Sequence, residues 1–595
     1  MQISPTAKPR LMRLPALPTK FSGPAFRYLF FVLFFLVCMT LQITHDSLFS
    51  PQLNLGTEDG GYIYADALQH PFWRTWLAPM VLPGYPPMGY LLLLQRIVGS
   101  IAAVFPPAWG PHVVYVGTYA LHTLSAMYIL SNRFSVYVPS LFVRALIALY
   151  IVLLPTVGFY RGSVTGSIQY LFVPMLALLA ASPKPAETNT TIWDTALLLV
   201  VGLSCPSLVI LIPLFLLRYA VDRDRHSLVL LCAAVAISAV HLIFVQLSGR
   251  PGESDLGRLF DAGALELVTS YFEITVLRVF LNAFFVGLLS QIRPLTYLSW
   301  TQLILCSVFM ISVVLLSLRL CARFRWAMLY LVFVPHLAGI FFYATKTGFS
   351  LDQLILGQGG ERYFFAGIAA VGMITIANIG IPGLGAGMAA FLSAFLFDSA
   401  VVQTYHAPKP VVADEYFDWR RQAPCLQGLR DGTRGTCWIH FKGAPPRGWT
   451  RIVTAPVAAE KLRLLGVDDL VDYQVLFDPA KREFVVSGWA ADPRGPTYPA
   501  TVFASVEAVG DFQQFSNFNT IEVWERLGGR ARNDDMHTLG FNAKFPERLV
   551  APILDAGKPV RVRLKIAAFD LSGYYNAPYS YQIAPDRTTI TKVPD

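Results

Sequence analysis

Phe26-Arg27-Tyr28-Leu29-Phe30-Phe31-Val32-Leu33-Phe34-Phe35-Leu36-Val37-Cys38-Met39-Thr40-Leu41-Gln42-Ile43-Thr44 is the stretch on which the fold turns. It is an apolar run of roughly transmembrane length. It is longer than the core of a secretory signal and lacks a small-residue cleavage site, so it reads as a membrane helix that is retained. Ahead of it, residues 1–25 carry Lys8, Arg10, Arg13 and Lys20, five prolines and no acid. The positive-inside rule keeps such a basic leader in the cytoplasm. The first helix then runs outward, and the polar loop behind it, residues 46–86, faces the outside.

The whole composition agrees with a membrane origin. Of 595 residues, 54% are hydrophobic and 14% charged, against ~25% charged in a soluble domain. Mean hydropathy is +0.49. The net charge of +9 does not gather into one patch: Lys and Arg fall at the edges of apolar runs, as membrane topology demands, so no nucleic-acid partner is expected. Cys38, Cys205, Cys232, Cys306 and Cys321 lie in apolar segments and read as buried packing residues. Cys425 and Cys437 lie in the polar tail, where a disulfide between them could persist outside the cytoplasm. No CxxC or His-Cys cluster of zinc spacing occurs, and neither a metal nor a cofactor is expected.

Further apolar runs follow at Pro87–Phe105, His112–Leu130, Leu141–Gly158, Ser167–Ala181, Asp194–Leu217 and Ser227–Gln246. Crossings counted from the first helix put the cluster Arg218, Arg223, Arg225 and His226 in the cytoplasm. A polar stretch, Ser248–Glu273, comes next, then Thr275–Leu289 and Thr301–Leu318. Arg319, Arg323 and Arg325 also read as cytoplasmic, and here the count misses by one crossing. Either one segment is re-entrant or interfacial, or an extra span lies near Leu256–Tyr271. Beyond that cluster, Trp326–Tyr343, Phe364–Ala377 and Ile381–Phe397 alternate cleanly. They leave Lys346–Arg362 and everything after Asp398 outside, for a total of about 11 or 13 spans. Few ionisable residues sit mid-span, which disfavours a channel filter or proton pump.

Near residue 400 the composition becomes that of a soluble protein. Val560-Arg561-Val562-Arg563-Leu564-Lys565-Ile566 alternates apolar and basic, as a half-buried strand does. Glu483–Trp489 and Thr501–Glu507 are further strands between Asp-Pro and Gly-Pro turns. The expected architecture is a polytopic α-helical membrane domain over residues 26–400, a linker over 401–470, and an all-β, sandwich-like domain over 471–595.

Within the outer loop, Leu55-Gly56-Thr57-Glu58-Asp59-Gly60-Gly61-Tyr62-Ile63-Tyr64-Ala65-Asp66 sets two adjacent carboxylates before two glycines against a membrane. Glu58 or Asp59 could take a proton from an acceptor hydroxyl, and Asp66 would share a face with Asp59 if the segment were helical. Solvated loop residues, or an N-cap followed by a glycine turn, are the plainer account. The aromatics Tyr62, Tyr64, Phe72, Trp73 and Trp76 suggest a segment in the headgroup region. In Gly357-Gln358-Gly359-Gly360-Glu361-Arg362-Tyr363-Phe364-Phe365, Arg362 could grip a lipid phosphate through both guanidinium nitrogens, with Glu361 beside it and Lys346 assisting. Snorkelling anchors would look the same. Tyr160–Tyr170 is dense in polar residues, and the crossing count puts it inside, where it would cap helices. Ser204-Cys205-Pro206-Ser207 interrupts an apolar run and either kinks a helix or lines a cavity. No GxSxG, Walker, HExxH or dinucleotide motif is present.

The outward acidic loop after the first helix, the short-linked spans, the Gly-Glu-Arg-Tyr-Phe-Phe segment and an outer β domain together resemble bacterial membrane glycosyltransferases of the GT-C superfamily. The resemblance covers residues 26–400. It implies a catalytic carboxylate at Asp59 or Glu58, a donor-phosphate contact at Arg362, and a polyprenyl-phosphate-linked sugar as donor. A cell-envelope glycan or glycolipid would be the acceptor, at the outer face of the inner membrane. The chain departs from the metal-dependent members, whose further carboxylates have no counterpart here, so a metal-independent enzyme is expected. The tail is similar to a β domain that follows such membrane regions in envelope proteins. Its marks are Ser487-Gly488-Trp489-Ala490-Ala491-Asp492-Pro493, Arg532-Asn533-Asp534-Asp535, Leu539-Gly540-Phe541 and Gly573-Tyr574-Tyr575. Trp489, Tyr574 and Tyr575 would stack on sugars or fill the sandwich core. A transporter or flippase for a lipid-linked sugar, and a non-catalytic assembly protein, are the rival expectations.

Overall fold

The computed structural model describes residues 24–45, 63–64, 67–68, 75–77, 91–154, 164–183, 188–247, 264–289, 300–345, 351, 363–406, 419–430, 436–441, 449–454, 471–492, 495–499, 501–506, 510–513, 540–547, 550–567 and 574–594. It is a mostly helical domain followed by a smaller β region. Among the described residues, six helical stretches are long and apolar enough to cross a membrane: Ala25–Thr44, Pro107–Leu130, Arg225–Val245, Glu266–Phe285, Ala322–Phe341 and Leu384–Val401. Shorter apolar helices fill in between them. In helix α1 (Pro24–His45), Tyr28, Leu29, Val32, Leu33, Leu36 and Val37 are exposed while Cys38, Met39 and Gln42 are buried. That division is the mark of a helix with one face to lipid and one to protein.

Helices α2 (Leu93–Val104), α3 (Gly110–Met127), α4 (Leu141–Leu153), α5 (Val164–Ala181), α6 (Thr188–Gly202), α7 (Leu208–Asp222) and α8 (Arg225–Leu247) follow. Next comes one kinked rod: α9 (Ala264–Ile274), a π-helical segment (Thr275–Leu281) and α10 (Asn282–Leu289). Helices α11 (Trp300–Ser317), α12 (Ala322–Phe333), α13 (Pro335–Thr345), α14 (Phe365–Ala377), α15 (Leu384–His406) and α16 (Trp419–Arg430) complete the set. Every residue of α14 is buried, as expected of a helix that is apolar all round. Its glycines let neighbours approach: a Cβ on Gly372 would lie 2.0 Å from the Tyr150 ring of α4.

One end of the bundle is an arginine face. The last four carbonyls of a helix have no partner within it, and here side chains from neighbouring elements supply donors. Arg144 of α4 donates to the carbonyls of Leu130 (2.8 Å) and Ser131 (2.6 Å) after α3. Arg218 of α7 donates to Leu179 (2.7 Å) and Ala180 (3.3 Å) at the end of α5. Arg319 donates to Ile381 and Pro382 beyond α14. Asp194 of α6 accepts from Arg133 through both oxygens (2.6 and 2.9 Å) and lies 3.4 Å from His226 at the start of α8. Asp222 pairs with Arg323 of α12 and Arg218. Helices α3, α5, α7, α11 and α14 therefore end where α4, α6, α8, α12 and α15 begin.

This arrangement corrects three expectations. Asp194–Leu217 is not one span. Asp194 on α6 and Arg218 on α7 stand at the same face, so the two helices form a hairpin that turns at Ser204–Ser207, about 24 Å along α8. Pro87–Phe105 is not a full crossing either: α2 has twelve residues, ~18 Å, and its first turn is buried in the bundle. The ends of α4 and α5 that flank the Tyr160–Tyr170 link lie away from the arginine face rather than on it, because both helices are anchored there by their other ends. Among the cysteines, Cys38 and Cys205 are buried but Cys232 and Cys321 are exposed. Cys232 shares the outward stripe of α8 with Leu228 and Val235.

The β region begins with a hairpin, β1 (Thr436–Phe441) and β2 (Trp449–Thr454). Strands β3 (Val471–Asp478), β4 (Glu483–Asp492), β5 (Gly495–Pro499) and β8 (Gly540–Pro546) form one sheet. Strands β6 (Thr501–Val506), β7 (Gly510–Gln513), β9 (Val560–Ala567), β10 (Tyr574–Ile583) and β11 (Ile590–Pro594) form the other, in the order β11-β10-β9-β6-β7. The two share one core, in which Val560, Val562, Leu564 and Ile566 meet Val471, Tyr473, Phe484 and Val486. The alternation in β9 thus reads as the sequence suggested. Gly488 faces Tyr473 across the strands, and a Cβ there would lie 2.2 Å from the Asp472 carbonyl. The Tyr473 ring instead stacks on Tyr579 at 4.9 Å. Glu547 ties the hairpin and strand ends together, accepting from Arg482 (2.7 and 3.2 Å) and from Arg587 (2.5 Å).

Removing the charge of Asp194 leaves Arg133 with an uncompensated, mostly buried guanidinium. Asp194→Asn should cost about 3–5 kcal/mol, read as a lower Tm in detergent; an unchanged Tm would refute the role assigned to the pair. In the β domain, the guanidinium of Arg482 and then that of Arg587 hold the Glu547 carboxyl below its ordinary value. The folded state binds that proton less readily than the unfolded chain, so the contribution is present above the ordinary carboxylate value and is lost as pH falls through the folded one. Protection of the β8 to β10 amides, measured relative to intrinsic exchange, should fall as pH drops below the ordinary carboxylate value, and less steeply in Glu547→Gln.

Candidate functional site

The start of α2 lies inside the protein, and its backbone donors are satisfied by distant parts of the chain. Leu93 N donates to the Leu203 carbonyl (3.3 Å) and Leu94 N to Ser204 Oγ (2.9 Å). The Gln95 side chain donates to the Ser204 carbonyl at 3.0 Å. Leu91 N donates to His241 Nδ1 (3.4 Å), whose Nε2 in turn donates to the Gly202 carbonyl (3.0 Å). Ser204-Cys205-Pro206-Ser207 is therefore a turn that caps another helix. Proline ends α6 and α7 follows, leaving Ser204 free to face α2.

Along α2 runs a polar stripe, Gln95, Arg96 and Ser100, all buried. Three described residues of the 46–86 loop, Ile63, Tyr64 and Trp76, pack on this helix and on the start of α3. Ile63 lies over Gly99, where a Cβ would come within 2.3 Å of its side chain. Trp76 Nε1 donates to Ser100 Oγ at 3.2 Å. Tyr64 sits against Gly110 and meets the Trp419 ring of α16 edge-on at 5.7 Å. Tyr64 is fully buried, so this part of the loop is built into the protein rather than lying in the headgroups. Helix α16 is fixed at the same corner, with Trp419 Nε1 donating to the Pro107 carbonyl (2.7 Å) and Arg430 to those of Val104 and Phe105 (both 3.0 Å).

The second support is His122 of α3. Gln42, four residues before the loop, has its amide nitrogen directed at Thr123 Oγ1 (2.7 Å) and at the carbonyls of Tyr119 and Cys38. Its oxygen therefore accepts from His122 Nδ1 at 2.9 Å, which fixes Nδ1 as a protonated nitrogen. The His122 ring also lies 6.1 Å from that of Phe365, three residues past Arg362. Tyr363 stacks edge-on against Tyr170 of α5 at 5.5 Å and rests on Gly339 of α13. Helix α14 has thirteen residues, about 20 Å, against a ~30 Å hydrocarbon core. The chain therefore enters it from within the bundle.

Glu58, Asp59, Asp66, Lys346, Glu361 and Arg362 lie outside the described residues, as do the side chains of Cys425, Cys437, Trp489, Tyr574 and Tyr575. What is placed is the frame. Gln42, ahead of the 46–86 loop, and Phe365, just past Arg362 in sequence, both meet the imidazole of His122, and Tyr170, at the end of the Tyr160–Tyr170 stretch expected elsewhere, meets Tyr363. Helix α16, which carries Cys425, packs against β1, which carries Cys437. Among the described residues no group of three or more His, Cys, Asp or Glu is brought together as a metal site. Sequence reasoning passed over Gln42, Arg96, His122 and His241. The signal was available: a charged or titratable residue inside an apolar run is a functional or structural marker by default.

Compared with protein-family models, with curated proteins and with solved structures, the chain matches none. Its reading rests on its own geometry. If Gly99 is required for the close seat of Ile63, Gly99→Val should push the loop off α2. Limited proteolysis between residues 46 and 90 should then accelerate several-fold while the β region stays protected.

Proposed function

We propose that this chain is a membrane glycosyltransferase that moves a sugar from a polyprenyl-phosphate-linked donor to a cell-envelope glycan or glycolipid. The reaction would take place at the outer face of the bacterial inner membrane, with the basic leader cytoplasmic and the β domain periplasmic. One observation supports the reading: Gln42, in the helix before the acidic loop, and Phe365, three residues past Arg362, both contact His122. A carboxylate and a phosphate-binding guanidinium must meet to act on one substrate, and the meeting of the helices that flank the two segments permits this.

In this mechanism Asp59, or Glu58, takes the proton of the acceptor hydroxyl while its oxygen attacks the anomeric carbon. The bond from that carbon to the phosphate oxygen breaks, and Arg362 holds the departing phosphate, with Lys346 and Glu361 beside it. Asp66 would orient the acceptor. The buried stripe of α2 keeps the loop against protein and limits water, where electrostatic contacts are strongest.

A second reading, transport of a lipid-linked sugar, draws on the broken helices. The hairpin turn at Ser204–Ser207, the π-helical segment Thr275–Leu281 and the α12–α13 break at Pro335 are discontinuities of the kind that line transport pathways. Transfer assays in membranes, with a panel of lipid-phosphate sugars, separate the two. Asp59→Asn or Glu58→Gln should lower kcat by about 10²–10⁴ and Arg362→Ala by about 10²–10³, with expression and folding unchanged. Wild-type rates in all three, or transbilayer movement without transfer, would sink the enzyme reading.

A further inference from the structure

The α12–α13 break is stitched to the kinked rod by three side chains. Pro335 has no backbone N–H, and Leu337 N turns to the Val334 carbonyl (3.0 Å), so the Phe333 carbonyl is released; the Tyr271 hydroxyl donates to it at 3.0 Å. Thr275 donates its only hydroxyl proton to the Tyr271 carbonyl at 2.7 Å. Its oxygen can then only accept from His336 Nε2, 2.9 Å away. The imidazole, stacked on the Tyr271 ring at 5.1 Å, is thus held with its proton on Nε2 and a lone pair on Nδ1. His336 is 1% exposed, and Nδ1 has no donor among the described residues. A buried acceptor without a donor costs free energy. This one sits on the first turn of α13 beside a π-helical segment, an irregularity that recurs at functional sites. One turn further along α13, Gly339 carries the ring of Tyr363, next in sequence to Arg362.

We propose that His336 Nδ1 is a substrate subsite: it accepts a hydrogen bond from a sugar hydroxyl of the lipid-linked donor. This rests on the sugar-transfer reading. The test is binding of undecaprenyl phosphate alone and of undecaprenyl-phosphate-linked sugars to the full-length protein in nanodiscs. His336→Gln keeps an N–H for Thr275 and removes the Nδ1 lone pair. It should weaken Kd for a sugar-bearing lipid about tenfold and leave undecaprenyl phosphate unchanged. In wild type, the Nδ1 nitrogen resonance should shift with the first ligand and not with the second. His336→Phe, which keeps the stack on Tyr271, serves the same comparison if the glutamine variant does not assemble. Unchanged binding of both lipids by the variant would mean that Nδ1 is served by water only, and equal loss for both would mean that the sugar is not its donor; either overturns the subsite. Should wild type bind neither lipid, the sugar-transfer reading falls with it. Should Asp59→Asn lose transfer while His336→Gln binds as wild type, only the subsite falls.

Discussion

A helix that ends at or within a membrane leaves carbonyls that water cannot reach, and the fold is organised around supplying donors for them. Arg144 and Arg218 donate to carbonyls at the ends of other helices, and Arg319 donates to those of Ile381 and Pro382 in the link between α14 and α15. Their positive charge also opposes the negative end of the helix dipole. Asp194 and Asp222 then balance the excess, so the ends of several helices are locked by one buried ionic network. A pattern that topology rules treat as loop charge is here interior structure. The cost of burying such charge is met only because each guanidinium has several partners at short distance.

The same constraint explains the interior breaks. Wherever a helix starts or stops inside the bundle, a side chain from elsewhere completes its hydrogen bonding. Ser204 and His241 serve α2, and Tyr271 serves the break before α13. Each break places polar atoms at a depth where an unbroken helix would present only apolar side chains. These are the places where a polar substrate could be held among membrane helices without meeting lipid. Tyr363, next in sequence to Arg362, rests on Gly339 one turn past the second of these breaks.

The segment after the last membrane helix returns to this region. Trp419 covers Tyr64, and Arg430 caps the end of α2, so the chain leading to the β domain is part of the packing that fixes the acidic loop. The β domain itself is held by ordinary sandwich physics, two sheets over one apolar core, with Glu547 and its two arginines joining the turns at one edge.

How much was legible beforehand depended on whether a feature was local. Apolar runs, basic flanks and the period-2 alternation of Val560–Ile566 depend on neighbours in sequence, and they indicated a set of apolar helices followed by a smaller β region. The chemistry of Glu58, Asp59 and Arg362 was a matter of residue type and remains a reading of sequence. Crossing number was not local: Asp194–Leu217 has the length and hydropathy of one span. Only the pairing of Asp194 with Arg133 and of Arg218 with the end of α5 makes it a hairpin. Likewise nothing near Ser204 in the chain announces that it caps α2, and nothing near Gln42 announces His122. Those contacts join residues about eighty to one hundred and ten apart. Sequence fixed which groups would need partners in a medium without water; the tertiary structure decided which partners they found, because hydrogen bonding there must be satisfied in space and not along the chain.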